Sequence, residues 1–431
     1  MTRVALIAAM TAALTAAADN TDGVSPNEIL LGSPAAYRGQ AAGLGTEQLI
    51  GSLVYFEHIN QQGGVHGRKI RVIAYDDDYN PKPTVTAALR LLEKDKVFAL
   101  FDSVGTPTIV ELLPALKRLE GSGAFLFGNF SGAQPQREPP YDKIVFNVRA
   151  SYRQEVATAI DFFVDKLSCT NVCGFWQNDA YGWSGRDGAI RRLKARGMKL
   201  AKDTTYERGA LFDADYSKQV GALKAANCGC VVMVGAYQGC GGMIRQARDS
   251  GWYVPMHNVS FVGATQMLKL LKAHEQTNGK VITDNLITTQ VVPNFTDTSF
   301  AVVREYRELR GRYSSVALPE SFKGCCGPKP ETWSPADYSF GQLEGFINAK
   351  LLVDILQKAG RDLTREKFKS VAANYAADLG GLKGRFGPDA SSPEKPANQF
   401  ANQVYVTYVR PGAPQWLTAT DWGKVLSHAG K

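Results

Sequence analysis

The feature that most constrains this chain is a regular alternation between short apolar runs and amphipathic stretches. In the first third of the chain, apolar runs of strand length occur at 28–33, 68–75, 96–101 and 124–128. The stretches between them carry apolar residues at helical spacing, most clearly 46–61, which stops at Gly63 and Gly64. Strands that alternate with helices through short connections predict a parallel sheet covered by helices on its faces.

The same alternation starts again after Arg149. We predict helices there at 155–167, 181–196, 216–226 and 241–250, and strands at 171–176, 199–206, 230–235 and 256–262. A helix at 338–358 and an alternating strand at 404–410 follow towards the C-terminus. A chain of 431 residues has room for two or three domains. The sequence therefore predicts an α/β protein with two lobes of similar size.

Composition and charge exclude several classes of protein. Hydrophobic residues make up 44% of the chain and charged residues 21%, which is typical of a globular protein rather than a disordered one. After the first 20 positions no run of 18 apolar residues occurs, so we expect no transmembrane helix. Lysine plus arginine exceed the acids by 49 − 41 = 8, but these charges are scattered along the chain. We therefore expect no nucleic-acid partner.

The N-terminus has the pattern of a secretory signal peptide. Arg3 precedes an apolar run at 4–18, and a polar segment begins at Asp19. We predict cleavage after Ala18 and export to a bacterial periplasm or to the cell exterior. The alternative is a buried N-terminal helix. No cysteine follows the apolar run, which argues against a lipid anchor.

Seven cysteines fit an oxidising compartment, in which they can pair, and an odd number leaves at least one thiol free. They are Cys169, Cys173, Cys228, Cys230, Cys240, Cys325 and Cys326. Their spacings are poor for zinc and no histidine lies close by, so we expect disulfides, with free thiols and metal binding as alternatives. The sequence leaves the pairing open. One arrangement joins Cys169 to Cys228, and Cys240 to Cys325 or Cys326.

The motifs of several enzyme classes do not occur in the sequence. The chain has no G-x-S-x-G, H-E-x-x-H or G-x-x-x-x-G-K-[ST] pattern, and no G-x-G-x-x-G after a predicted strand. We therefore predict that the protein is not an enzyme, and that it holds neither a cofactor nor a metal ion.

Two junctions between a strand and a helix stand out instead. Gly105, Thr106 and Pro107 follow the predicted strand at 96–101, and Thr106 with Pro107 fits the first turn of a helix. Free N–H groups at that end of a helix, at the carboxyl edge of a parallel sheet, favour a small anion such as a carboxylate. The segment 129–133 follows the next strand and offers further N–H groups beside the first loop. The alternative is a plain capped helix.

Eight stretches, in the order and spacing of a known family, are distributed over residues 26–410. They are 59–70 (INQQGGVHGRKI), 76–79 (DDDY), 105–108 (GTPT), 147–150 (NVRA), 179–182 (DAYG), 234–237 (VGAY), 244–248 (IRQAR) and 343–346 (LEGF). Through them the chain resembles the periplasmic leucine/isoleucine/valine-binding proteins, the type I solute-binding proteins of ABC importers. The resemblance implies two Rossmann-like lobes joined by a three-segment hinge, with a ligand cleft between the lobes.

On this resemblance we divide the chain into a signal peptide and two lobes. The signal peptide is 1–18, the first lobe is 26–149 plus 290–380, and the second lobe is 150–289 plus 381–431. The three crossings between the lobes are expected near 149–151, 288–293 and 380–387.

The resemblance also implies which residues hold a ligand. The positions whose amides and hydroxyls hold a ligand carboxylate in the family match Gly105, Thr106, Ser131 and Gly132. The aromatic positions that surround the ligand match Tyr181 and Tyr237 in the second lobe and Phe340 in the return segment.

One position departs from the family. Its amino-acid binders use an acid in the second lobe to hold the ammonium group of the ligand, and the matching position here is Ser260. A serine cannot supply a negative charge, and a buried ammonium without a partner is costly. Either another acid near the cleft takes this role, with Asp102 and Asp179 as candidates, or the ligand has no amine.

The resemblance implies a periplasmic substrate-binding protein of an ABC importer. Its ligand is expected to be a small carboxylate-bearing solute, either a branched-chain-type amino acid or a related carboxylate or amide. Closure of the cleft then presents the ligand to a permease in the inner membrane. The alternative is a sensory protein that binds its ligand and docks to a separate membrane receptor. We expect a monomer.

Overall fold

A computed structural model describes residues 21–409 and 416–418, with the exception of 318, 320–337 and 393. The predicted signal peptide and the segment that contains Cys325 and Cys326 lie outside the described residues. The described residues form two sheets covered by helices, together with one small hairpin. Among them, no helix combines the length and the apolar character that are needed to cross a bilayer.

The first sheet is built from the N-terminal part of the chain. Its strands are β1 Glu28–Ala35, β2 Lys69–Asp76, β3 Ala99–Phe101, β4 Leu126–Phe127 and β5 Val145–Phe146. The helices between them are α1 Ala42–Gln61, α2 Pro81–Glu93 and α3 Thr106–Arg118. All pairs are parallel, and the strand order is β2-β1-β3-β4-β5. Every residue of β3, β4 and β5 is buried, which agrees with a parallel sheet covered by helices on both faces.

The second sheet begins with the parallel strands β6 Val172–Gln177, β7 Lys202–Tyr206, β8 Cys230–Val234, β9 Met256–Asn258 and β10 Leu286–Gln290. Its helices are α4 Tyr152–Leu167, α5 Ala180–Ala195, α6 Ser217–Ala225, α7 Tyr237–Asp249 and α8 Ala264–Asn278. After β10 the chain leaves this sheet. It returns at the end to add two antiparallel strands next to β10, so the second sheet has seven strands in all.

The segment after β10 adds helices to the first lobe. They are α9 Ala301–Arg312, α10 Phe340–Ala359 and α11 Arg365–Ala372. The hairpin β11 Ala376–Asp378 and β12 Lys383–Arg385 follows, and β13 Tyr405–Val409 and β14 Trp416–Thr418 complete the second sheet. Helix α10 packs closely along α1, and a Cβ at Gly345 would strike the backbone of Gln48. This packing brings the first turns of α10 beside α1.

Residues after β12 lie beside the first sheet before the chain reaches β13. Phe386 packs edge-on against Phe146 at 5.5 Å, and Asn147 forms a parallel bridge with Gln399. The backbone N–H of Ala401 donates to the carbonyl of Val148 at 3.0 Å. The division of the chain into lobes stays a prediction, and these contacts move its third crossing from 380–387 to about 401.

The two helix-covered sheets confirm the predicted α/β architecture with two lobes. Sequence reasoning missed β5, β10, β14, α8, α9, α11 and the small hairpin. The predicted strand at 256–262 is wrong beyond Asn258, because Ser260–Val262 forms a 3₁₀ turn. Gly263 then adopts a φ of 75°, which directs the chain into α8.

Two disulfides connect the start of β6 with the start of β8. Cys169 pairs with Cys230, and Cys173 pairs with Cys228. The expectation of disulfides is confirmed, but the pairing of Cys169 with Cys228 is wrong. Cys240 is buried in α7 and free, so its expected disulfide to Cys325 or Cys326 is wrong as well.

Candidate functional site

The loops after β3 and β4 bring the predicted carboxylate-binding residues together. Gly105 adopts a φ of 106° directly before α3, and a Cβ there would strike the ring of Tyr79. The hydroxyl oxygens of Thr106 and Ser131 lie 2.8 Å apart, and both side chains are fully buried. Two hydroxyls at the N-terminus of a helix form a polar site of the kind that receives a carboxylate.

The second lobe reaches this pair of hydroxyls through Tyr152, the first residue of α4. The Thr106 hydroxyl donates to the phenolic oxygen at 3.4 Å, and the N–H of Tyr152 donates to the carbonyl of Gly132 at 2.8 Å. A Cβ at Gly132 would lie 2.5 Å from the Tyr152 ring. Glycine at 132 therefore allows the two lobes to approach each other.

A layer of aromatic rings covers the hydroxyl pair. Tyr181 lies 5.1 Å from Tyr152 and 4.8 Å from Phe261, measured between ring centroids. Phe261 in turn lies 4.8 Å from Phe130 of the first lobe. Burial raises the pKa of Tyr181 well above its usual value, so its hydroxyl stays neutral and donates to the carbonyl of Gly235 at 3.4 Å. The cleft is thus closed around apolar ring faces and neutral hydroxyls.

The remaining predicted aromatic residues are Tyr237 and Phe340. Tyr237 begins α7 and is buried, and the backbone of Gly43 hydrogen-bonds its hydroxyl. Burial raises the pKa of Tyr237 to about 12. Phe340 begins α10 and packs edge-on against Phe295 at 4.9 Å. Tyr237 therefore contacts the first lobe, and Phe340 lines a small cavity together with Ser260 of the second lobe.

A buried guanidinium, which the sequence reasoning did not single out, lies next to Ser260. Arg149 is 1% exposed, and its Nη2 contacts the hydroxyl of Ser260 and lies 3.2 Å from Oε1 of Glu155. On the other side, Nη1 lies 3.5 Å from Oε1 of Glu344. The guanidinium stacks 4.9 Å from the centroid of the Phe130 ring. Arg149 therefore connects the second lobe to α10.

Glu155 holds Ser260 in place. Its Oε2 accepts hydrogen bonds from the N–H of Ser260 at 2.8 Å and from Thr289 at 2.9 Å, and its Oε1 accepts one from the Ser260 hydroxyl at 3.0 Å. Burial raises the pKa of Glu155, while Arg149 lowers it. Burial alone would lower the pKa of Arg149, but Glu344 and Glu155 raise it. Arg149 and Glu155 therefore form a buried ion pair around Ser260.

The pKa of Glu344 is raised to about 7. Burial is the main cause and Glu155 adds to it, whereas Arg149 and Arg137 lower the pKa. The sequence stretches 147–150 and 343–346 both supported the family resemblance. Nothing in either stretch indicates that Arg149 and Glu344 meet, because the two residues come from segments far apart in the chain.

We expected Asp102 near the cleft, and the structure corrects its position. Asp102 follows β3 with a φ of 51°, and its carboxylate points into the first lobe between α1 and α10. There it accepts hydrogen bonds from Asn348 at 2.8 Å, from Gln48 at 3.4 Å and from the hydroxyl of Ser52. Burial raises the pKa of Asp102 well above its usual value. Its surroundings are those of a structural acid in the lobe interior.

Asp179, the other candidate acid, caps α5. It accepts from the N–H of Tyr181 at 2.9 Å and from the amide of Gln177 at 2.7 Å, and it lies 3.5 Å from Arg208. Gln177 and Arg208 line a cavity of about 360 Å³ between the lobes, together with Tyr79. This volume lies in the range of small-molecule sites.

Comparison with known proteins identifies the family. Residues 28–414 match the family described as "Periplasmic binding protein". The chain is 25% identical over 268 residues to an amino acid binding protein of Pseudomonas aeruginosa, over 62% of this chain and 65% of the relative. It is 24% identical over 213 residues to a leucine-, isoleucine-, valine-, threonine-, and alanine-binding protein of the same species, over 49% and 55%. The chain thus spans less than two thirds of the length of these curated relatives.

Solved structures agree with the fold over almost the whole chain. A possible leucine/isoleucine/valine-binding protein from Rhodopirellula baltica SH 1 is 26% identical, with a TM-score of 0.76 over 95% of this chain and 100% of that one. A branched-chain amino acid ABC transporter protein from Thermus thermophilus with bound valine has a TM-score of 0.75 over 94% and 98%. At 14% identity, this second likeness concerns the fold alone. The chain therefore belongs to the periplasmic binding protein family, whose members bind substrates rather than convert them.

Proposed function

We propose that this protein captures a small carboxylate-bearing solute in the cleft between its lobes and delivers it to the permease of an ABC importer. The solute is a branched-chain-type amino acid or a related carboxylate or amide, and the protein works in the periplasm after removal of 1–18. The observation that carries this proposal is the hydroxyl pair of Thr106 and Ser131, buried at the N-terminus of α3 beneath the aromatic rings of the second lobe.

The chemistry of this pair suits a carboxylate. An entering carboxylate replaces the hydrogen bond between the two hydroxyls with two charge-assisted hydrogen bonds, which are about twice as strong as neutral ones. The adjacent end of α3 adds a favourable dipole. Since Thr106 and Ser131 are fully buried, these interactions take place away from water, where they are stronger.

Closure of the cleft is the second part of the proposal. Phe261 of the second lobe contacts Phe130 of the first lobe at 4.8 Å, so opening must separate these two rings. A ligand shifts the balance towards the closed form only by the contacts it gains there. We assign those contacts to Tyr181 and Tyr237, as the family resemblance implies. The side chain of the ligand we assign to the cavity of about 360 Å³ beside Tyr79.

The names of the relatives support this class of ligand. The curated Pseudomonas relatives are amino-acid-binding proteins by name, and the Thermus structure holds valine. These statements concern the relatives. For the present chain the ligand class rests on the hydroxyl pair.

The proposal is tested with purified protein stripped of ligand. A thermal-shift screen uses three pairs of carboxylates with matched skeletons, leucine and 4-methylpentanoate, phenylalanine and 3-phenylpropanoate, alanine and propanoate. A ligand at 1,000 times its Kd adds about 4 kcal/mol of stability and shifts the melting temperature by several degrees. If no member of the panel binds, the proposal is wrong.

Substitutions in the hydroxyl pair localise the carboxylate. Thr106→Ala and Ser131→Ala each remove one hydrogen bond to a charged group, worth about 1.5–3 kcal/mol, so each should weaken binding by roughly 10- to 150-fold. Thr86→Ala on the exposed face of α2 is the matched control. Unchanged affinity in both cleft variants would mean that the carboxylate binds elsewhere.

Delivery to a permease is tested in cells. Uptake of the labelled ligand should fall in a strain that lacks the gene, and the wild-type gene should restore it while the Thr106→Ala gene should not. If uptake persists but a ligand-dependent signalling response is lost, the protein is a sensory component instead.

A further inference from the structure

A buried guanidinium supports the loop that carries Ser131. Arg137 ends the 3₁₀ turn Pro135–Arg137, and only 2% of the residue is exposed. Its Nη1 donates to the backbone carbonyl of Ala133 at 2.6 Å and to that of Ser131 at 3.4 Å. Arg137 therefore fixes the backbone of the segment whose hydroxyl forms one half of the proposed carboxylate site.

The same guanidinium reaches both segments through which the chain enters the second lobe. Its Nη2 donates to the carbonyl of Arg149 at 3.1 Å, and its Nε donates to Oε1 of Gln399 at 2.8 Å. Arg149 lies between β5 and α4, and Gln399 lies between β12 and β13. A guanidinium presents its donors in a rigid planar fork, so these attachments do not move independently of one another.

Gln399 extends this connection to the first turn of α4. Its Nε2 donates to Oε1 of Gln154 at 2.8 Å. The side chain of Gln154 also belongs to the capping box that begins this helix. The first residue of α4 is Tyr152, whose phenol contacts Thr106. The side chains of Arg137, Gln399 and Gln154 thus link the loop of one hydroxyl to the helix that meets the hydroxyl pair.

Neutral hydrogen bonds from the neighbouring residue support the same region. The Nε2 of Gln136 donates to the carbonyl of Ser131 at 2.8 Å, and its backbone carbonyl accepts from Asn398 at 3.0 Å. Loss of Arg137 should therefore loosen this region rather than unfold it. Among the described side chains, Arg137 alone hydrogen-bonds both the Ser131 carbonyl and Gln399.

No acid among the described residues balances the charge of Arg137 by direct contact. The four acceptors of its hydrogen bonds are uncharged oxygen atoms, on backbone carbonyls and one side-chain amide. The pKa of Arg137 is lowered to about 9, mainly by burial and further by Arg149, whereas Tyr152, Glu155 and Glu344 raise it. The group is therefore still a cation at pH 7. A carboxylate that enters the hydroxyl pair brings a negative charge close to this buried cation, where their attraction is strong.

We propose that Arg137 is a positioning residue, which transmits the binding of a carboxylate at Thr106 and Ser131 to the two crossings near residues 149 and 399. This role rests on the proposed function, because the hydroxyl pair is the proposed carboxylate site. Since the donors of the fork are rigidly joined, a carboxylate that anchors the guanidinium also orders the two crossings. Closure of the lobes is favoured by the free energy gained in this way.

Amide hydrogen exchange of the ligand-free protein tests the connection itself. Arg137→Lys keeps the charge but replaces the fork by a single nitrogen. We expect exchange to become about threefold faster or more at 131–133 and at 399–401, because both segments lose a shared support. Gln399→Ala breaks the same connection from its far end. It should also accelerate exchange at 131–133, to which Arg137 links it.

Arg248→Lys is the matched control. Arg248 is 0% exposed, and its guanidinium donates to three backbone carbonyls beside the amino ends of β9 and β10. Burial lowers the pKa of this group to about 10. The two arginines therefore have similar surroundings and differ in what they hold. The control should lower the melting temperature and leave exchange at 131–133 and 399–401 unchanged.

Binding of a carboxylate tests the transmission. The probe is the member of the six-carboxylate panel that binds the wild type most tightly. In the wild type and in Arg248→Lys, a saturating concentration of this probe should slow exchange at 131–133 and at 399–401. In Arg137→Lys the probe should still slow exchange at 131–133. The slowing at 399–401 should fall by about threefold or more, and the affinity should fall with it.

The outcomes separate this inference from the proposed function. If the probe protects 399–401 equally in the wild type and in Arg137→Lys, the inference is wrong and the capture of carboxylates stands. If Arg137→Lys and Arg248→Lys change exchange alike, Arg137 has only a structural role and the inference is wrong as well. Gln399→Ala gives the same comparisons if Arg137→Lys does not fold. If none of the six carboxylates binds the wild type, the proposed function fails and the inference fails with it.

Discussion

Replacing Glu344 by glutamine should stabilise the ligand-free protein at neutral and alkaline pH. In the folded protein burial raises the pKa of Glu344 from 4.5 to about 7, and an exposed chain restores the lower value. Between about pH 4.5 and pH 7 the folded protein therefore keeps the proton of Glu344, whereas the unfolded chain has lost it. The contribution of Glu344 to the free energy of unfolding falls as the pH rises from about 4.5 to 7.

The magnitude follows from this difference. A change of one in pKa corresponds to 1.36 kcal/mol. The rise from 4.5 to about 7 therefore lowers the free energy of unfolding by about 3 kcal/mol above pH 7 and has no effect below pH 4.5. Glu344→Gln removes the ionisation. The variant should be about 3 kcal/mol more stable than the wild type at pH 8, and the difference should vanish near pH 4.5. The charged groups that face Glu344, namely Arg149, Arg137, Glu155 and Glu47, are present in both proteins.

Urea unfolding of the ligand-free proteins at several pH values between 4.5 and 8.5, followed by tryptophan fluorescence, measures this difference. Glu111→Gln serves as the control for loss of an exposed charge. The reasoning is refuted if Glu344→Gln is less stable than the wild type at pH 8. That result would mean that Arg149 needs Glu344 as an ion-pair partner, since breaking a buried pair costs about 3–5 kcal/mol.

Three further predictions follow from the geometry. Gly105→Ala places a Cβ against the ring of Tyr79 in a residue whose φ is 106°. A thermal-shift titration should therefore show a lower melting temperature and at least tenfold weaker ligand binding. Unchanged binding would mean that this loop is not part of the ligand site. Arg149→Met leaves Glu155 buried without its counter-charge. Urea unfolding should show a loss of about 3–5 kcal/mol in the free energy of unfolding at pH 8 and a clearly smaller loss at pH 5. Equal losses at the two pH values would contradict the ion pair. The two disulfides span 61 and 55 residues, but once one has formed the other closes a loop of only about six residues. Replacing both cysteines of one disulfide by alanine should therefore lower the free energy of unfolding by about 2 kcal/mol, and removing both disulfides should lower it by about 6 kcal/mol. If the loss for both equals the sum of the two single losses, the disulfides do not share a loop.

The fold and one half of the site could be predicted because their signals are local. The alternation of strands and helices lies within short windows, and the sequence Gly105-Thr106-Pro107 contains its own reason for a helix start. The loops after neighbouring parallel strands meet at one edge of the sheet, which brings Thr106 to Ser131. Shorter elements failed where the local pattern was ambiguous, as in the 3₁₀ turn that was predicted to continue β9.

The charged half of the site could not be predicted because it depends on long-range packing. Arg149, Glu155, Ser260 and Glu344 come from four segments, and each is an ordinary polar residue in its own stretch. They meet because α10 packs on α1 and because the lobes close. The sequence did show that position 260 lacks an acid. It could not show that Glu155 already occupies the space beside Ser260, since this contact joins residues 105 positions apart.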